Sequence, residues 1–120
     1  MARPRKWRTV CDLPQKSRFG PYPPGGGPYD RVIMGIDEYE TIRLIDYEGF
    51  TQEECAQQMN IARTTIQGIY SVARRKLADA IVNGKMILIE GGDYVLCDGT
   101  QRGCQTRGCG RHRQGQRFQR

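Results

Sequence analysis

Apolar residues recur every three or four positions in the middle of the chain, a pattern typical of helices with one buried face. In the first such stretch, Asp37 and Glu40 have the spacing of a capping box and Gly49 marks an end. The pattern therefore predicts a helix that runs to about residue 47. The side chains expected on its buried stripe are Tyr39, Ile42 and Ile45.

Two more helices are predicted directly afterwards, separated by a turn at Asn60. Thr51 and Glu54 repeat the capping-box spacing, which indicates a short helix over residues 52–59. A longer helix is predicted from Arg63 to residue 82, where Asn and Gly follow as a stop signal. The inward-facing positions expected on these two helices are Cys55, Ala56, Met59, Ile66, Ile69, Tyr70, Ala73, Leu77, Ala80 and Ile81.

Beyond the long helix the pattern changes to two short apolar runs, KMILIE and YVLC, around a Gly-rich turn. Such an arrangement predicts a β-hairpin. Because an isolated hairpin is marginally stable, we expect a third strand from residues 31–35 and packing against the long helix. The predicted fold class is mainly α: a helix-turn-helix core of three helices, with a small β-hairpin or three-stranded sheet and flexible basic termini.

Length and composition restrict the chain to one small domain with extensions. It has 120 residues, of which 38% are apolar, and its glycines and prolines are concentrated towards the ends. The predicted division is a basic arm and Pro/Gly-rich linker at 1–28, a helix-turn-helix DNA-binding domain with a C-terminal hairpin at 29–97, and a Cys/Arg-rich tail at 98–120. A core of this size makes a homodimer a reasonable expectation. No apolar run is long enough to span a bilayer, and the start is unlike a signal peptide, so the expected location is cytoplasmic without a membrane partner.

Charge is distributed unevenly along the chain, whose formal net charge is +6. Residues 1–18 and 97–120 each carry six basic residues and one acid, whereas residues 30–54 carry eight acids and two arginines. Residues 55–85 are again basic, with five positive residues and one acid. Basic arms on a polarised core favour a polyanionic partner such as nucleic acid. Charged termini that only maintain solubility are the alternative explanation.

The stretch from Phe50 to Leu77 gives the main indication of function. It combines a capped short helix, a tight turn and a longer helix with a polar and basic outer side, which is the order of a helix-turn-helix. An ordinary helical hairpin would show the same periodicity. Gly68 lies inside the longer helix at a cost of about 1 kcal/mol relative to Ala, which favours the approach of a ligand to the backbone there.

This stretch resembles the helix-turn-helix of sigma-factor region four. The matching residues are Phe50-Thr51-Gln52-Glu53-Glu54-Cys55-Ala56 and Ala62-Arg63-Thr64-Thr65-Ile66. The chain departs from that pattern at Ala62, where the family has a serine that caps the recognition helix. The resemblance implies that the longer helix reads DNA.

Further blocks extend a resemblance over nearly the whole chain. They are RPRKWR, Cys11-Asp12-Leu13-Pro14, DEYETIRLIDYEG, TQEECA, GKMILIEGGDY and the closing Cys97, Cys104, Cys109 and His112. In this order they resemble an uncharacterised prokaryotic family, of the UPF/DUF type, of predicted DNA-binding proteins with a region-four-like helix-turn-helix. This resemblance implies DNA binding, without an established target or activity.

The outer side of the long helix supplies candidate base and phosphate contacts. Gln67 suits an adenine edge, Arg63 a guanine, and Thr64 a thymine methyl or a phosphate. Further along the helix, Arg74, Arg75 and Lys76 suit phosphates, whereas the basic N-terminal arm suits a minor groove. The candidate DNA-binding residues are Arg63, Thr64, Gln67, Ser71, Arg74, Arg75, Arg3, Arg5, Lys6 and Arg8.

Four soft or borderline metal ligands follow one another in the tail: Cys97, Cys104, Cys109 and His112. Zinc or an iron–sulfur cluster would order a segment that has almost no apolar side chains. Cys11 is a fifth candidate ligand if the N-terminal segment folds back. Thiols without a metal are the alternative, and Cys55 is expected to pack in the helical core.

No catalytic residues are predicted, because the chain has one His and no phosphate-binding loop, and no Ser or Cys has a base nearby. The favoured function is a sequence-specific DNA-binding regulator of transcription. The alternative is a metal- or redox-sensing adaptor whose helix-turn-helix binds a protein, such as an RNA polymerase component. The acidic stretch at residues 37–54 would suit that alternative.

Overall fold

The computed structural model of the chain describes residues 7–22 and 30–97. The elements in these ranges are β1 (Arg8–Val10), β2 (Arg18–Phe19), β3 (Arg31–Met34), α1 (Ile36–Ile42) with a π-helical continuation (Arg43–Tyr47), α2 (Gln52–Met59), α3 (Arg63–Asn83), β4 (Met86–Ile89) and β5 (Tyr94–Leu96). A mainly helical fold with a small three-stranded sheet is confirmed. Of the basic termini predicted to be flexible, residues 1–6 and 98–120 lie outside the described residues.

The start of α1 differs from the prediction. The helix begins after Gly35, whose amide donates to Glu38 Oε1 at 2.9 Å, so the predicted capping box of Asp37 and Glu40 is wrong. The most deeply buried stripe of the helix also differs from the predicted one, because it contains polar side chains. Polar groups can be buried when they have hydrogen-bond partners inside the protein, and Thr41 Oγ1 donates to the carbonyl of Asp37 at 2.9 Å. The predicted Tyr39, Ile42 and Ile45 are only partly buried against the core. The buried stripe is Ile36, Asp37, Glu40, Thr41 and Leu44.

The next two helices follow the prediction closely. Thr51 Oγ1 accepts from the Glu54 amide at 3.0 Å, and Glu54 Oε1 accepts from the Thr51 amide at 2.9 Å, which confirms this capping box. Asn60 takes the left-handed conformation (φ 59°) and makes the turn into α3. The inward positions are buried or partly buried apart from Ile81, which is 77% exposed because the buried stripe of α3 ends at Ala80.

The predicted hairpin is wrong, because β4 and β5 belong to different sheets. β4 lies in the centre of the three-stranded sheet, antiparallel to β2 and parallel to β3, which is the third strand expected at residues 31–35. β5 pairs in parallel with β1. Gly91 and Gly92 have positive φ (73° and 100°), and their turn carries the chain from one sheet to the other. Neither strand needs the other as a partner, because β4 pairs with β2 and β3 while β5 pairs with β1.

Among the described residues, strand pairing already includes residue 8, upstream of the domain start predicted at residue 29. Thr9, Val10 and Cys11 are buried, and their strand pairs with β5 at the other end of the described chain. β2 lies inside the segment predicted as a linker. Both strands are very short and their partners are distant in the sequence, so no local sequence pattern predicts them.

The core lies where the helices meet the strands. Its main cluster contains residues from all three helices and from three strands: Val10, Met34, Ile36, Leu44, Phe50, Cys55, Ala56, Met59, Ile61, Ile66, Ala73 and Ile89. A second, small cluster consists of Cys11 and Cys97. Among the residues that the structure describes, no helix has the length and apolar character needed to cross a membrane.

Candidate nucleic-acid interface

One side of α3 is exposed to solvent along its first turns and carries the polar and basic residues predicted for it. We call this surface the α3 outer face; it consists of Arg63, Thr64, Gln67, Ser71, Arg74 and Arg75. These positions follow one another at helical spacing, so their side chains share one side of the helix. The other side is fixed by Ile66 and Ala73, both fully buried. The helix is therefore held by its apolar side while the polar side stays accessible.

The α3 outer face begins beside an open groove at the turn between α2 and α3. The groove has a volume of about 420 Å³ and is lined by Glu53, Gln57, Asn60, Ala62 and Arg63, among others. Ala62 is the N-cap and provides no side-chain cap to α3. The first turn of a helix has amides without helical acceptors and a partial positive charge, so this end of α3 favours an anion.

Arg74 is oriented by a small network between α3 and the π-helical turn. Its Nη1 donates to the Tyr70 hydroxyl at 2.8 Å, and that hydroxyl donates to Asp46 Oδ1 at 2.8 Å. Desolvation and the bond to Asp46 raise the pKa of Tyr70, which keeps the phenol a donor. The Arg74 side chain remains 60% exposed. Its charge is thus accessible but partly balanced by Asp46, 3.7 Å away.

Arg8 and Lys76 each form ion pairs within the protein. Arg8 Nη1 lies 3.3 Å from Asp93 Oδ2, its Nε lies 3.9 Å from Asp37 Oδ2, and the side chain is 15% exposed. Lys76 Nζ donates to Glu38 Oε1 at 2.8 Å. Both side chains therefore have partners within the fold, and the DNA contacts expected of them stay predictions. The other predicted arm residues, Arg3, Arg5 and Lys6, lie outside the described residues.

Gly68 lies between the α3 outer face and a second cavity, of about 440 Å³, which Arg8, Asp37 and Lys76 also line. A Cβ placed on Gly68 has no heavy atom within 4 Å apart from its own helix backbone. Desolvation raises the pKa of Asp37 in this cavity, although the Glu38 amide and Arg8 counteract it. Internal packing therefore does not explain the glycine, and the approach of an external group remains the prediction.

The acidic stretch at residues 37–54 contains carboxylates that are paired inside the fold and others that are exposed. Arg43 Nε lies 2.9 Å from Glu40, whose side chain is fully buried, and its Nη1 lies 3.2 Å from Glu48, which is 7% exposed. Glu38 and Asp37 face Lys76 and Arg8 as described above. Asp46, Glu53 and Glu54 lie at exposed positions of the same stretch, so an acidic surface for a protein partner stays a prediction.

Buried charge at Arg43 is the main feature that the sequence pattern did not indicate. Burial by itself would lower the pKa of Arg43, but the hydrogen bonds and charge of Glu40 raise it above the ordinary value. Glu40 Oε2 also accepts from the Cys11 amide at 3.0 Å. The i, i+3 spacing of Glu40 and Arg43 is the only local signal, and it is equally common on exposed helices.

The predicted metal ligands divide into two sets. Cys11 and Cys97 are both buried and in contact, whereas Cys104, Cys109 and His112 lie outside the described residues. Gln58, which no sequence pattern marked, donates from Nε2 to Cys11 Sγ at 3.1 Å. Within residues 7–22 and 30–97, no group of three or more metal-binding side chains occurs.

Comparison with known proteins gives consistent matches to one family. The model of the family described as "Protein of unknown function DUF134" matches residues 1–97. A UPF0251 protein of Desulfitobacterium hafniense (strain Y51) is 61% identical over 113 residues, which cover 94% of this chain and 90% of that protein. A UPF0251 protein of Thermoanaerobacter pseudethanolicus is 47% identical over 116 residues, covering 97% of this chain and 96% of that protein. No solved structure gives a significant match.

Proposed function

The chain belongs to the protein family of unknown function DUF134, and for this member we propose a function as a sequence-specific DNA-binding protein that regulates transcription. In this proposal α2, the turn at Asn60 and α3 act as a helix-turn-helix. α3 is the recognition helix and enters the major groove. The proposed activity is binding, without a catalytic step.

The α3 outer face is the observation that carries this proposal. Its exposed residues offer donors and acceptors of the kinds that read base edges: Gln67 for adenine and Arg63 for guanine. Arg74 and Arg75, about two turns further on, supply positive charge for the flanking phosphates. An exposed helix face with three arginines and no acidic residue among its members suits a polyanion.

The start of α3 adds a second phosphate-binding element. Because Ala62 gives no side-chain cap, a phosphate oxygen at this position would meet the helix N-terminus directly. Arg63 lies beside the same groove. In this proposal one phosphate of the backbone takes the place of the capping serine in the region-four pattern.

The structure weakens the observation that favoured a protein-binding adaptor. That alternative relied on an acidic face at residues 37–54, but Glu40 and Glu48 are balanced by Arg43, and Glu38 by Lys76. The α3 outer face itself carries three arginines and no acid. We therefore retain the adaptor only as an outcome of the test below.

The proposal is tested by selecting bound fragments from a random DNA pool with the full chain and then measuring affinity at several salt concentrations. We expect a selected sequence to bind at least about a thousandfold more tightly than random DNA. The logarithm of the affinity falls with the logarithm of salt at about 0.9 per phosphate contact. Arg75→Ala should lower this slope by about 0.9 for selected and random DNA alike.

Arg18→Ala is the matched control, because Arg18 is an exposed arginine on β2, away from α3. This variant should leave the slope close to that of the natural chain. Equal slopes for Arg75→Ala and Arg18→Ala would exclude the α3 outer face as the contact surface. Failure to enrich any sequence, together with salt-insensitive capture of an RNA polymerase component, would favour the adaptor.

A further inference from the structure

A tyrosine hydroxyl lies between an acid and an arginine beside the α3 outer face. The Tyr70 hydroxyl donates to Asp46 Oδ1 at 2.8 Å and accepts from Arg74 Nη1, also at 2.8 Å. Arg74 Nη1 lies 3.7 Å from the same Asp46 oxygen. A direct charge-assisted hydrogen bond would bring nitrogen and oxygen to about 2.7–2.9 Å. The hydroxyl therefore keeps the acid and the arginine apart.

The ring of Tyr70 also holds Arg74 in place. Arg74 Cζ lies 5.4 Å from the centre of the ring, which is within the range of a cation–π contact. Because the two residues are four positions apart on one helix, both contacts form along the same side of α3. The Arg74 side chain is nevertheless 60% exposed. Tyr70 thus orients the guanidinium without burying it.

Asp46 is carried by a turn of unusual geometry. It belongs to the π-helical segment Arg43–Tyr47, where the Glu48 amide donates to the Arg43 carbonyl at 2.9 Å, one residue further along than in an α-helix. The segment is anchored, because Leu44 is fully buried and Arg43 Nη1 lies 3.2 Å from Glu48 Oε2. π-Helical turns are rare and occur frequently at functional sites. Asp46 therefore has a firm support opposite α3.

In the proposed complex with DNA, two anions compete for Arg74: a phosphate and Asp46. A carboxylate in direct contact with the guanidinium would occupy donors that a phosphate needs. The Tyr70 hydroxyl prevents this contact, because it accepts from the arginine and donates to the acid. Since ion pairs between exposed groups are weak, the remaining attraction of Asp46 reduces the phosphate contact without abolishing it.

We propose that Tyr70 is a positioning residue for a phosphate contact of Arg74, and that Asp46 limits the strength of this contact. On binding, the guanidinium exchanges Asp46 for a phosphate oxygen and keeps its bond to the Tyr70 hydroxyl. Because a phosphate contact carries no sequence information, the two residues set the affinity for all DNA alike. This inference rests on the DNA-binding function proposed above.

Single variants of the full chain test the two roles by anisotropy titration on the selected duplex and on random DNA at low salt. Asp46→Asn keeps an oxygen acceptor for Tyr70 but removes the charge, so the affinity should rise about two- to fivefold on both DNAs. Tyr70→Phe removes the separating hydroxyl, so Arg74 and Asp46 can pair directly, and the affinity should fall by a similar factor.

Asp79→Asn is the matched control for the loss of one negative charge. The Asp79 side chain is 35% exposed, compared with 37% for Asp46, and it is paired with Lys85 at 3.1 Å near the end of α3. This variant should bind both DNAs like the natural chain. An equal rise for Asp79→Asn and Asp46→Asn would show a general effect of net charge and contradict the proposal.

Double variants show whether both residues act through Arg74. In the Arg74→Ala background, neither Asp46→Asn nor Tyr70→Phe should change the affinity, and Tyr70→Phe should have little effect in the Asp46→Asn background. A merely structural role of Tyr70 would not depend on the charge of Asp46. A rise for Asp46→Asn that persists without Arg74 would overturn the proposal, as would equal affinities of Tyr70→Phe and the natural chain.

The outcomes separate this inference from the function on which it rests. If the natural chain binds no DNA, both fail together. If it binds DNA and both Asp46→Asn and Tyr70→Phe bind like the natural chain, the inference alone fails. If Tyr70→Phe does not fold, the comparison of Asp46→Asn with and without Arg74→Ala decides.

Discussion

The α3 outer face exposes its charges to solvent, whereas several charges of the acidic stretch at residues 37–54 are paired inside the fold. Residues 30–54 hold eight acids and residues 55–85 hold five basic residues, so the sequence presents both as charged surfaces. In the structure, Glu40 and Glu48 are buried around Arg43, whereas Arg63 and Arg75 are exposed. The first set holds the fold together, and the second is accessible to a partner. The local density of charge along the sequence therefore does not show whether a charged side chain is paired inside the fold or exposed to a partner.

The largest expected effect comes from breaking the internal set. Arg43→Ala leaves Glu40 buried without its principal cation, so we expect a loss of about 3–5 kcal/mol in the free energy of unfolding. Arg75→Ala removes the same charge from the exposed set and should cost less than about 0.5 kcal/mol. Urea unfolding of both variants provides the comparison. Similar losses in the two would show that burial does not distinguish the two regions.

Deletions in the N-terminal arm compare paired and exposed charges within one segment. Deleting residues 1–9 removes most of β1 and takes Arg8 from Asp37 and Asp93, so we expect a loss of at least about 2 kcal/mol. Deleting residues 1–6 should leave the thermal midpoint unchanged and lower the salt dependence of DNA binding by up to about 0.9 per lost phosphate contact. Equal midpoints for the two deletions would place Arg8 with the exposed charges.

Gln67→Ala tests whether a residue of the exposed α3 outer face reads the DNA sequence. If Gln67 reads an adenine edge, the variant should lose about 1–3 kcal/mol of binding free energy on the selected sequence and little on random DNA. Its stability should change by less than about 0.5 kcal/mol, because the side chain is exposed. Anisotropy titrations on both DNAs measure the difference. Equal losses on the two DNAs would indicate that Gln67 contacts the DNA phosphate backbone rather than a base edge.

Gly68→Ala gives the smallest effect and separates stability from binding. With no neighbouring atom to obstruct a Cβ, the variant should gain about 0.5–1 kcal/mol in unfolding free energy, since alanine favours a helix interior. Its DNA affinity should fall if the duplex approaches the backbone at this position. Gly84→Ala is the control, because its positive φ of 66° makes that substitution destabilising. Unchanged affinity would remove Gly68 from the interface.

The sequence by itself determined the second and third helices of this protein and the outer face of α3. The bounds of α2 and α3, the capping box of Thr51 and Glu54, and the exposed polar side of α3 all follow from interactions within four residues along the chain. Such interactions leave a periodic signal that can be read directly. Ala80 and Ile81 show its limit, because the periodicity continues past the point where the core ends.

Only the tertiary structure decided which strands pair, which charges are buried and which cysteines meet. β4 pairs with β2 and β3 rather than with β5, and Cys11 reaches Cys97 across 86 positions of the sequence. Burial of Glu40 likewise depends on Arg43 and on the Cys11 amide together. Strand pairing depends on partners that are distant along the chain, so a short strand carries no local sign of its partner. The spacing of Glu40 and Arg43 is local, but it does not show that the pair is buried, since burial also involves the Cys11 amide, 29 positions away.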